Sequence, residues 1–324
     1  MSTSPSTLFP VRVARKTVEA LDICTFELVS PDGGALPPFA AGAHIDVEVK
    51  PGLVRQYSLC NDPAESHRYL IGVLRDQASR GGSVGMHTGV DEGALINISA
   101  PKNHFALAHE AGRSLLLAGG IGVTPILCMA ERLSSTGADF RMHYCTRSKD
   151  RTAFFGRIQD SAFADHVHFH FDDGAPDQKA DLAALLATPD ADTHLYVCGP
   201  GGFLDAVIST AKRLGWADGN IHFEYFSAPV DANAQSAAFE VQIASSGRVI
   251  PVAADRSVLL ALADAGIELP YSCEQGVCGT CLTRVIDGTP DHRDAYLTDA
   301  EKAKNDQFLP CCSRARSPRL VLDL

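Results

Sequence analysis

The chain has 324 residues, 45% of them apolar and 21% charged, with a net charge of −11 at neutral pH. These values are typical of a chain that folds into two or three domains, and they exclude long disordered regions. No apolar run is long enough to cross a bilayer, and the N-terminus has no signal-peptide layout. We therefore expect a cytoplasmic protein without membrane contact, in which ten cysteines do not imply disulfides.

The charges are unevenly distributed along the chain. Acidic and basic residues number 14 and 14 over residues 1–149, 13 and 5 over 150–231, and 12 and 9 over 232–324. No segment is basic enough to bind nucleic acid. The acidic middle and end are compatible with docking on a basic protein partner, and equally with a solubilising surface.

Short alternating runs separated by turn residues dominate the first hundred residues. The stretch HIDVEVKPG predicts a half-buried strand with His44 and Asp46 on its solvent face. YLIGVLRD (69–76) and ALINISAP (94–101) predict two further strands, with ASRGGSVG as the loop between them. Several short strands with little helical periodicity predict a small antiparallel β-barrel over residues 1–107.

Two motifs in this region carry groups that suit a phosphorylated, flat ligand. In RQYSL, Arg55 could pair with a phosphate, Tyr57 could pack on a ring, and Ser58, of opposite parity, could reach a ring nitrogen if the strand bends. A surface arginine and a packed tyrosine are the better explanation of this motif when it is taken alone. RGGS (80–83) predicts a phosphate cradle at the start of a helix.

From residue 108 onward strands alternate with helices, which predicts a parallel sheet. AGGIGVTPI places Gly120 and Gly122 between a strand and a helix that opens at Thr124, an arrangement that suits a pyrophosphate. YVCGPGGF repeats this unit and leaves Cys198 at the C-terminal edge of the sheet, where ligands of such folds bind. Glycines that only form turns, and a packed Cys198, are the simpler alternatives.

The last hundred residues follow a segment of linker composition, SAPVDANAQSA (227–237). FEVQIASSGRVIPV predicts a hairpin, and SVLLALADAG predicts a short helix that Ser257 caps and Gly266 ends. The charged stretch DHRDAYLTDAEK predicts a turn and the start of a helix, and no chemistry follows from it.

Four cysteines in this region have the spacing of a metal centre. Cys273-x4-Cys278-x2-Cys281, followed after 29 intervening residues by Cys311, is the spacing of plant-type 2Fe–2S proteins. Zinc ligands usually come as C-x2-C pairs from two separate knuckles, whereas here three cysteines share one loop. The spacing therefore favours an iron–sulfur cluster, with zinc as the alternative.

Two glycines support this prediction, and a fifth cysteine leaves the fourth ligand to be decided. Gly276 and Gly279 allow the loop to fold tightly and to aim backbone N–H groups at the sulfurs. Cys312 stands beside Cys311, and because neighbours on a strand point to opposite faces, only one of the two can be a ligand. The spacing favours Cys311.

The order of these motifs, R-x-Y-S, AGGIGVTPI, YVCGP, HFEYF, the cysteine loop and CCSRA…LVLDL, resembles the phthalate dioxygenase reductase family. That family includes the reductases of vanillate-type O-demethylases and carnitine-type monooxygenases, and the resemblance covers nearly the whole chain. It implies three domains and a linker: an FMN-binding barrel (1–107), a Rossmann-like α/β NAD domain (108–226), a linker (227–237) and a C-terminal plant-type ferredoxin domain of α+β, β-grasp fold (238–324).

The resemblance also implies roles for individual residues. Arg55, Gly82 and Ser83 would hold the FMN phosphate, with Tyr57 against the isoalloxazine and Ser58 near its N5. The residues that would bind NAD are Gly120, Gly122, Thr124, Cys198, Gly199 and Pro200. The cluster ligands would be Cys273, Cys278, Cys281 and Cys311. The residues expected closest to the hydride are Ser58, Thr124, Cys198 and Phe226.

The function that the resemblance implies is electron transfer in three stages. We expect a monomer in which NADH gives a hydride to FMN, and single electrons then pass through the 2Fe–2S cluster to a separate Rieske-type oxygenase of aromatic catabolism. Arg147, Lys149 and Arg151 could meet the 2′-phosphate of NADPH, but we favour NADH. An FAD-type reductase of another monooxygenase, and a non-enzymatic iron–sulfur or zinc redox-sensing module, remain alternatives.

Overall fold

The computed structural model describes residues 8–76, 79, 81–227 and 236–324. Residues Ser6–Glu224 belong to one compact unit and Tyr225–Leu324 to another. Eight of the eleven residues of the predicted linker, 228–235, lie outside the described residues. No helix in the described part of the chain is long and apolar enough to span a membrane.

The first sheet is antiparallel and closes into a barrel, as predicted. Its strands follow the order β4-β3-β6-β1-β2-β5, with β7 on β3. A bridge between Leu59 and Ile71 joins the two ends of this order. The elements are β1 (Phe9–Ala20), β2 (Ile23–Val29), β3 (Ala43–Lys50), β4 (Leu53–Ser58), β5 (Tyr69–Leu74), α1 (Gly82–Gly89), β6 (Leu95–Ile98) and β7 (Lys102–Asn103).

The longest hairpin of the barrel, β1 with β2, has no counterpart among the predicted strands. Val11 and Val13 of β1 are fully buried, as an alternating strand requires. The pairing with β2 then shifts register after Val13 and again after Val18. Because each shift changes which residues face the core, the alternation of apolar and polar residues along β1 is too short to be recognised in the sequence.

The prediction that His44 and Asp46 face solvent is wrong. Both side chains on β3 are buried, at 5% and 2% exposure. Lys102 places its Nζ 2.6 Å from Asp46 Oδ2, and Gln56 Nε2 donates to Asp46 Oδ1 over 3.0 Å. A buried carboxylate with two such partners is satisfied, so β3 is covered on both faces.

The second sheet is parallel, as predicted, with the order β10-β9-β8-β11-β12. From β8 the chain adds strands first toward one edge of the sheet (β9, β10) and then toward the other (β11, β12). The turns after β8 and β11 therefore meet at the topological switch point. The elements are β8 (Arg113–Gly119), α2 (Val123–Ser135), β9 (Asp139–Thr146), α3 (Phe155–Gln159), β10 (Val167–Phe171), α4 (Leu182–Leu185), β11 (Thr193–Cys198), α5 (Gly201–Arg213) and β12 (Ile221–Glu224).

One hydrophobic core joins the barrel to the parallel sheet. It contains Cys60 and Phe105 from the barrel side and Leu116, Ile126 and Tyr196 from the α/β side. The Phe105 and Tyr196 rings lie 6.1 Å apart. This shared core explains why the two sheets form a single compact unit.

The unit Tyr225–Leu324 contains a mixed sheet, against which the helix at Val258–Asp264 packs. Its main sheet has the order β14-β13-β19-β15-β17, with β13 and β19 parallel and the other pairs antiparallel. Ser257 caps the helix α6 by accepting from Leu260 N, as predicted. The elements are β13 (Phe239–Ile243), β14 (Val249–Val252), α6 (Val258–Asp264), β15 (Thr283–Asp287), β16 (Pro290–Asp291), α7 (Asp299–Lys302), β17 (Gln307–Phe308), β18 (Arg314–Ala315) and β19 (Arg319–Leu322).

A buried arginine ties the first described residues of this segment to the strand β18. Arg314 donates to the carbonyls of Ala237, Ala253 and Arg256 over 3.0, 2.9 and 2.7 Å. Its guanidinium also lies 5.1 Å from the centre of the Phe239 ring. These contacts hold the guanidinium through its two terminal nitrogens, whereas its buried Nε has no hydrogen-bond partner in the described part of the chain. They fix residue 237 beside β18.

Candidate functional site

The barrel brings Arg55 and Gly82 into direct contact. An ideal Cβ on Gly82 would lie 2.6 Å from Arg55 Cγ and 2.8 Å from its Nε, so the arginine runs across this glycine. Gly82 is the first residue of α1, and Gly81 before it has a φ of 91° that favours glycine. Ser83 Oγ accepts from Asp76 N over 3.1 Å. A guanidinium over a helix N-terminus is a set of donors that fits a phosphate.

Tyr57 and Ser58 end the strand β4 next to this contact. Tyr57 packs against the barrel core, and burial raises the pKa of its hydroxyl. Ser58 is 5% exposed and lies opposite His44 in the β3–β4 pair. Its hydroxyl contacts Glu224 instead of facing solvent. The structure therefore brings Ser58 to the end of β12.

The two strand–glycine–helix turns of the parallel sheet touch through their backbones. A Cβ on Gly122 would lie 2.3 Å from Cys198 O and 2.5 Å from Gly199 N. A Cβ on Gly199 would lie 3.0 Å from Gly119 Cα. Gly120 has a φ of 51° and open space beside it. Glycine is thus required for close approach at Gly122 and Gly199, and for conformation at Gly120.

Thr124 and Cys198 are buried where these turns meet the barrel. Thr124 Oγ1 donates to Ile121 O over 3.1 Å, and its methyl group faces Gly72 of β5. Cys198 is fully buried, and its burial raises the pKa of the thiol well above the ordinary value. Pro200, which is exposed, precedes the first residue of α5. The helix N-termini of α2 and α5 therefore open beside one another.

Glu224 belongs to this site and was not among the predicted residues. It ends β12 directly opposite Cys198 in the parallel pair. Burial raises the pKa of its carboxyl to about 8, and the hydrogen bond from Ser58 offsets part of this shift. Its Oε2 is buried and has no partner within the described part of the chain. The available signal was a single carboxylate at the end of the short strand IHFE.

Phe226, the remaining predicted residue of this group, lies in the other compact unit. It is 36% exposed there. Its predicted place near the flavin stays a prediction.

The cysteine loop folds through three residues with positive φ. These are Glu274, Gly276 and Gly279, at 54°, 74° and 70°. Cys273 and Cys281 are each 3% exposed, whereas Cys278 is half-buried. The loop thus turns its sulfurs inward, with Cys278 nearest to solvent.

The four predicted ligands form two pairs. A hydrogen bond between the Cys273 and Cys278 thiols lowers the pKa of Cys278 and raises that of Cys273. Cys281 is paired in the same way with Cys311, which is 7% exposed and also hydrogen-bonds to Cys312. Within the described residues, no three His, Cys, Asp or Glu side chains are placed to hold a single metal ion. Two pairs of thiols suit two iron atoms.

Backbone donors around the loop also fit a cluster. Gln275 N donates to Cys273 Sγ over 3.2 Å. The N–H of Val277 is directed at the same sulfur, and Thr280 hydrogen-bonds to Cys278. Hydrogen bonds of this kind stabilise thiolates and tune the potential of an iron–sulfur cluster.

The basic stretch after β9 contacts other parts of the protein. Arg151 lies 3.7 Å from Asp22 of the barrel. Lys149 lies over the Phe155 ring, 4.7 Å from its centre. Two of the three cations that could meet a 2′-phosphate therefore have other contacts.

A family model matches the C-terminal region, and individual proteins match nearly the whole chain. Residues 241–316 match the family model of the 2Fe-2S iron-sulfur cluster binding domain. Vanillate O-demethylase oxidoreductase from Pseudomonas sp. (strain HR199 / DSM 7063) is 56% identical over 317 residues, 98% of this chain and 100% of that protein. Phthalate dioxygenase reductase from Burkholderia cepacia is 41% identical over 315 residues, 97% of each chain.

A solved structure supports the same assignment. Phthalate dioxygenase reductase, described there as a modular structure for electron transfer from pyridine nucleotides to a 2Fe–2S centre, superposes with a TM-score of 0.81. The two sequences are 40% identical, and the match covers 98% of each chain. The chain therefore belongs to the phthalate dioxygenase reductase family, whose members are reductase components of oxygenase systems.

Proposed function

We propose that this protein is the NADH-dependent reductase component of a vanillate-type O-demethylase. The observation that carries the proposal is that one chain holds three sites: the Arg55–Gly82 contact, the paired glycine turns and the paired cysteines. The full-length relative at 56% identity is named for vanillate O-demethylation. The acceptor would then be a Rieske-type oxygenase that acts on a methoxylated aromatic acid.

The barrel is the proposed FMN site. Arg55, Gly82 and Ser83 would hold the phosphate, because a guanidinium and a helix N-terminus both favour negative charge. Tyr57 would lie against the ring system, and Ser58 would place its hydroxyl near N5. We propose the barrel as residues 1–107, although it shares a core with the parallel sheet.

The C-terminal edge of the parallel sheet is the proposed NADH site, in a domain spanning residues 108–226. Gly120, Gly122 and Thr124 would bind the pyrophosphate and nicotinamide on one side, with Cys198, Gly199 and Pro200 on the other. The turns are close enough for both to contact one ligand. NADH is preferred because Lys149 and Arg151 have other contacts.

The buried Glu224 supplies a proton-holding group beside these residues. Since burial raises the pKa of its carboxyl to about 8, this group would hold a proton at neutral pH. Ser58 fixes the orientation of this carboxyl, and Cys198 excludes water on its other side. Phe226 is proposed to lie near the flavin.

When bound, FMN accepts two electrons as a hydride and releases them singly, and a 2Fe–2S cluster carries one electron at a time. The proposed cluster ligands are Cys273, Cys278, Cys281 and Cys311, in a domain spanning residues 238–324 that follows the linker. The protein is proposed to act as a monomer in the cytoplasm, where the thiols stay reduced.

The test is reconstitution with purified oxygenases. The protein should carry flavin and 2Fe–2S absorption, release FMN on denaturation, and reduce a vanillate O-demethylase oxygenase with NADH at least tenfold faster than with NADPH. The oxygenase of phthalate dioxygenase serves as the matched acceptor and should be reduced more slowly. A protein without flavin bands, or one that releases FAD, contradicts the proposal, as does preference for the phthalate enzyme.

A further inference from the structure

The stretch DHRDAYLTDAEK has no chemistry of its own, yet part of it touches both halves of the cysteine set. We call its residues Asp294–Leu297 the clasp. The clasp precedes the helix α7, whose capping box is formed by Thr298 and Glu301. It lies between the cysteine loop and Cys311 in sequence.

On one side the clasp holds the cysteine loop. Ala295 N donates to Gly276 O over 3.0 Å. The ring of Tyr296 lies over Gly279, because an ideal Cβ on that glycine would be 2.2 Å from Tyr296 Cζ. The loop is therefore fixed at both of its glycines by neighbouring clasp residues.

On the other side the clasp reaches the segment that carries the fourth cysteine. Leu297 is 5% exposed and packs in one buried cluster with Cys281 and Cys311. Asp294 has a fully buried side chain. It accepts from Leu297 N over 2.8 Å and from Ser313 Oγ over 3.3 Å.

Ser313 links the clasp to the turn that contains both adjacent cysteines. Its Oγ accepts from Arg293 N over 3.1 Å while donating to Asp294. The backbone N–H groups of Cys312 and Ser313 both donate to Leu309 O, over 3.3 and 2.9 Å. With Ser313 fixed at its side chain and its backbone, the turn has a single orientation.

In that orientation the two thiols hydrogen-bond to each other but have different further partners. Cys311 is hydrogen-bonded to Cys281, the third ligand of the loop. The Cys312 sulfur lies 3.8 Å from both Leu309 O and Ser313 Oγ, on the side of its own turn. The choice of ligand thus depends on how the turn is held.

We propose that the clasp selects Cys311 over Cys312 as the fourth ligand, with Asp294 as a positioning residue that acts through Ser313. The inference rests on the proposed function only in requiring a 2Fe–2S cluster. It needs neither NADH nor an oxygenase, so it is tested separately from them.

The first experiment measures how fast the cluster of the full-length protein is lost to an iron chelator. Removing partners that orient metal ligands weakens metal binding by about 10–100-fold. Asp294→Ala should accelerate loss by a factor in this range, whereas Asp294→Asn, which can still accept from Ser313, should stay within about threefold of wild type. Asp299→Ala, an exposed acid in α7, is the matched control and should behave as wild type.

Two outcomes contradict the positioning role. One is loss from Asp294→Ala at the wild-type rate. The other is equally fast loss from Asp294→Asn and Asp294→Ala, which would assign the effect to charge. If Asp294→Ala does not fold, judged by its circular dichroism and flavin content, the smaller change Ser313→Ala is measured against the same expectation.

The second experiment tests the choice between the cysteines by anaerobic reconstitution with iron and sulfide. Cys312→Ala should keep the visible circular dichroism of the cluster, and Cys311→Ala should lose it. Adding Ser313→Ala to Cys311→Ala should recover part of the signal through Cys312, because the turn is released. Loss of the cluster in Cys312→Ala, or no recovery in the double variant, overturns the selection mechanism.

Discussion

The paired glycine turns of the parallel sheet and the cysteine loop are built in opposite ways. At the glycine turns backbone touches backbone, and Gly122 leaves no room for one added carbon beside Cys198. At the cysteine loop, side chains from three separate stretches meet: the loop, the clasp and Cys311. The glycine turns require residues without a side chain, whereas the cysteine loop requires particular side chains that contact one another. Substitutions should therefore fail for different reasons in the two regions.

The strongest test of this difference is the removal of one sulfur. Cys278→Ser should prevent assembly of the cluster and lower reduction of the oxygenase by at least 100-fold, because a ligand is lost. The paired glycine turns lie in the other compact unit, so NADH-dependent reduction of ferricyanide should stay within about twofold of wild type. Steady-state assays with both acceptors measure this. Cys145→Ser, at a half-buried thiol of β9, is the control, and survival of both activities in Cys278→Ser would contradict the proposed electron path.

The next largest effect is expected from adding one carbon to the glycine turns. Gly122→Ala places its Cβ 2.3 Å from Cys198 O, so the turns must separate. Overpacking of this kind costs about 1–3 kcal/mol, and more against rigid backbone. The free energy of unfolding should fall by that amount and the KM for NADH should rise about tenfold or more. Gly201→Ala, where a Cβ meets nothing within 4 Å, should change neither quantity, and equal effects at both glycines would refute the close-contact explanation.

A third change tests whether the barrel site depends on charge. Arg55→Met keeps the length of the side chain over Gly82 but removes the guanidinium. A charge-assisted hydrogen bond contributes about 1.5–3 kcal/mol, which corresponds to a rise of about 10–100-fold in the Kd for FMN. Equilibrium titration of the flavin-free protein measures this. Arg12→Met, at an exposed residue of β1, should bind FMN as wild type does. Unchanged affinity in Arg55→Met would remove Arg55 from the phosphate site.

The smallest expected effect is a pH dependence at Glu224. Its pKa is about 8 in the folded protein and 4.5 in the ordinary state, so between these values the folded chain holds a proton that the unfolded chain has lost. Stability therefore falls as pH rises from about 5 to about 8, and Glu224→Gln, which cannot ionise, should escape this fall. The variant should gain about 1–3 kcal/mol on wild type across the window.

Denaturant unfolding at several pH values measures this gain. Glu110→Gln, an exposed carboxylate, should follow the wild-type curve. A constant difference between Glu224→Gln and wild type from pH 5 to 8 would show that Glu224 is already ionised.

Local patterns predicted many of the elements of the fold. The strand–glycine–helix units, the hairpin after the linker and the Ser257 cap follow from periodicity and from residues next to one another in sequence. The β1–β2 hairpin was missed because two register shifts interrupt its alternation. His44 and Asp46 were misplaced because the residues that cover them come from other strands.

The parts of the sites that sequence patterns did not predict depend on pairing over long distances. Glu224 lies in the candidate site only because the parallel pairing of β11 with β12 sets it opposite Cys198. The clasp gained a role through Ser313, nineteen residues from Asp294. The cysteines, by contrast, were recognisable because three of them share one loop and their spacing is itself the signal.

The contacts of Arg314 determine where tension on the chain would be carried. Residue 237 is bonded to Arg314, and Arg293 donates to Ser236 Oγ over 3.0 Å. A pull applied at residue 236 is therefore borne by a strand that begins three residues after Cys311, before it reaches the hydrogen-bonded ladder of β13. The N-terminal attachment of this unit is thus connected through Arg314 to the segment that carries the proposed fourth ligand, Cys311, so strain in the attachment would be transmitted to that segment.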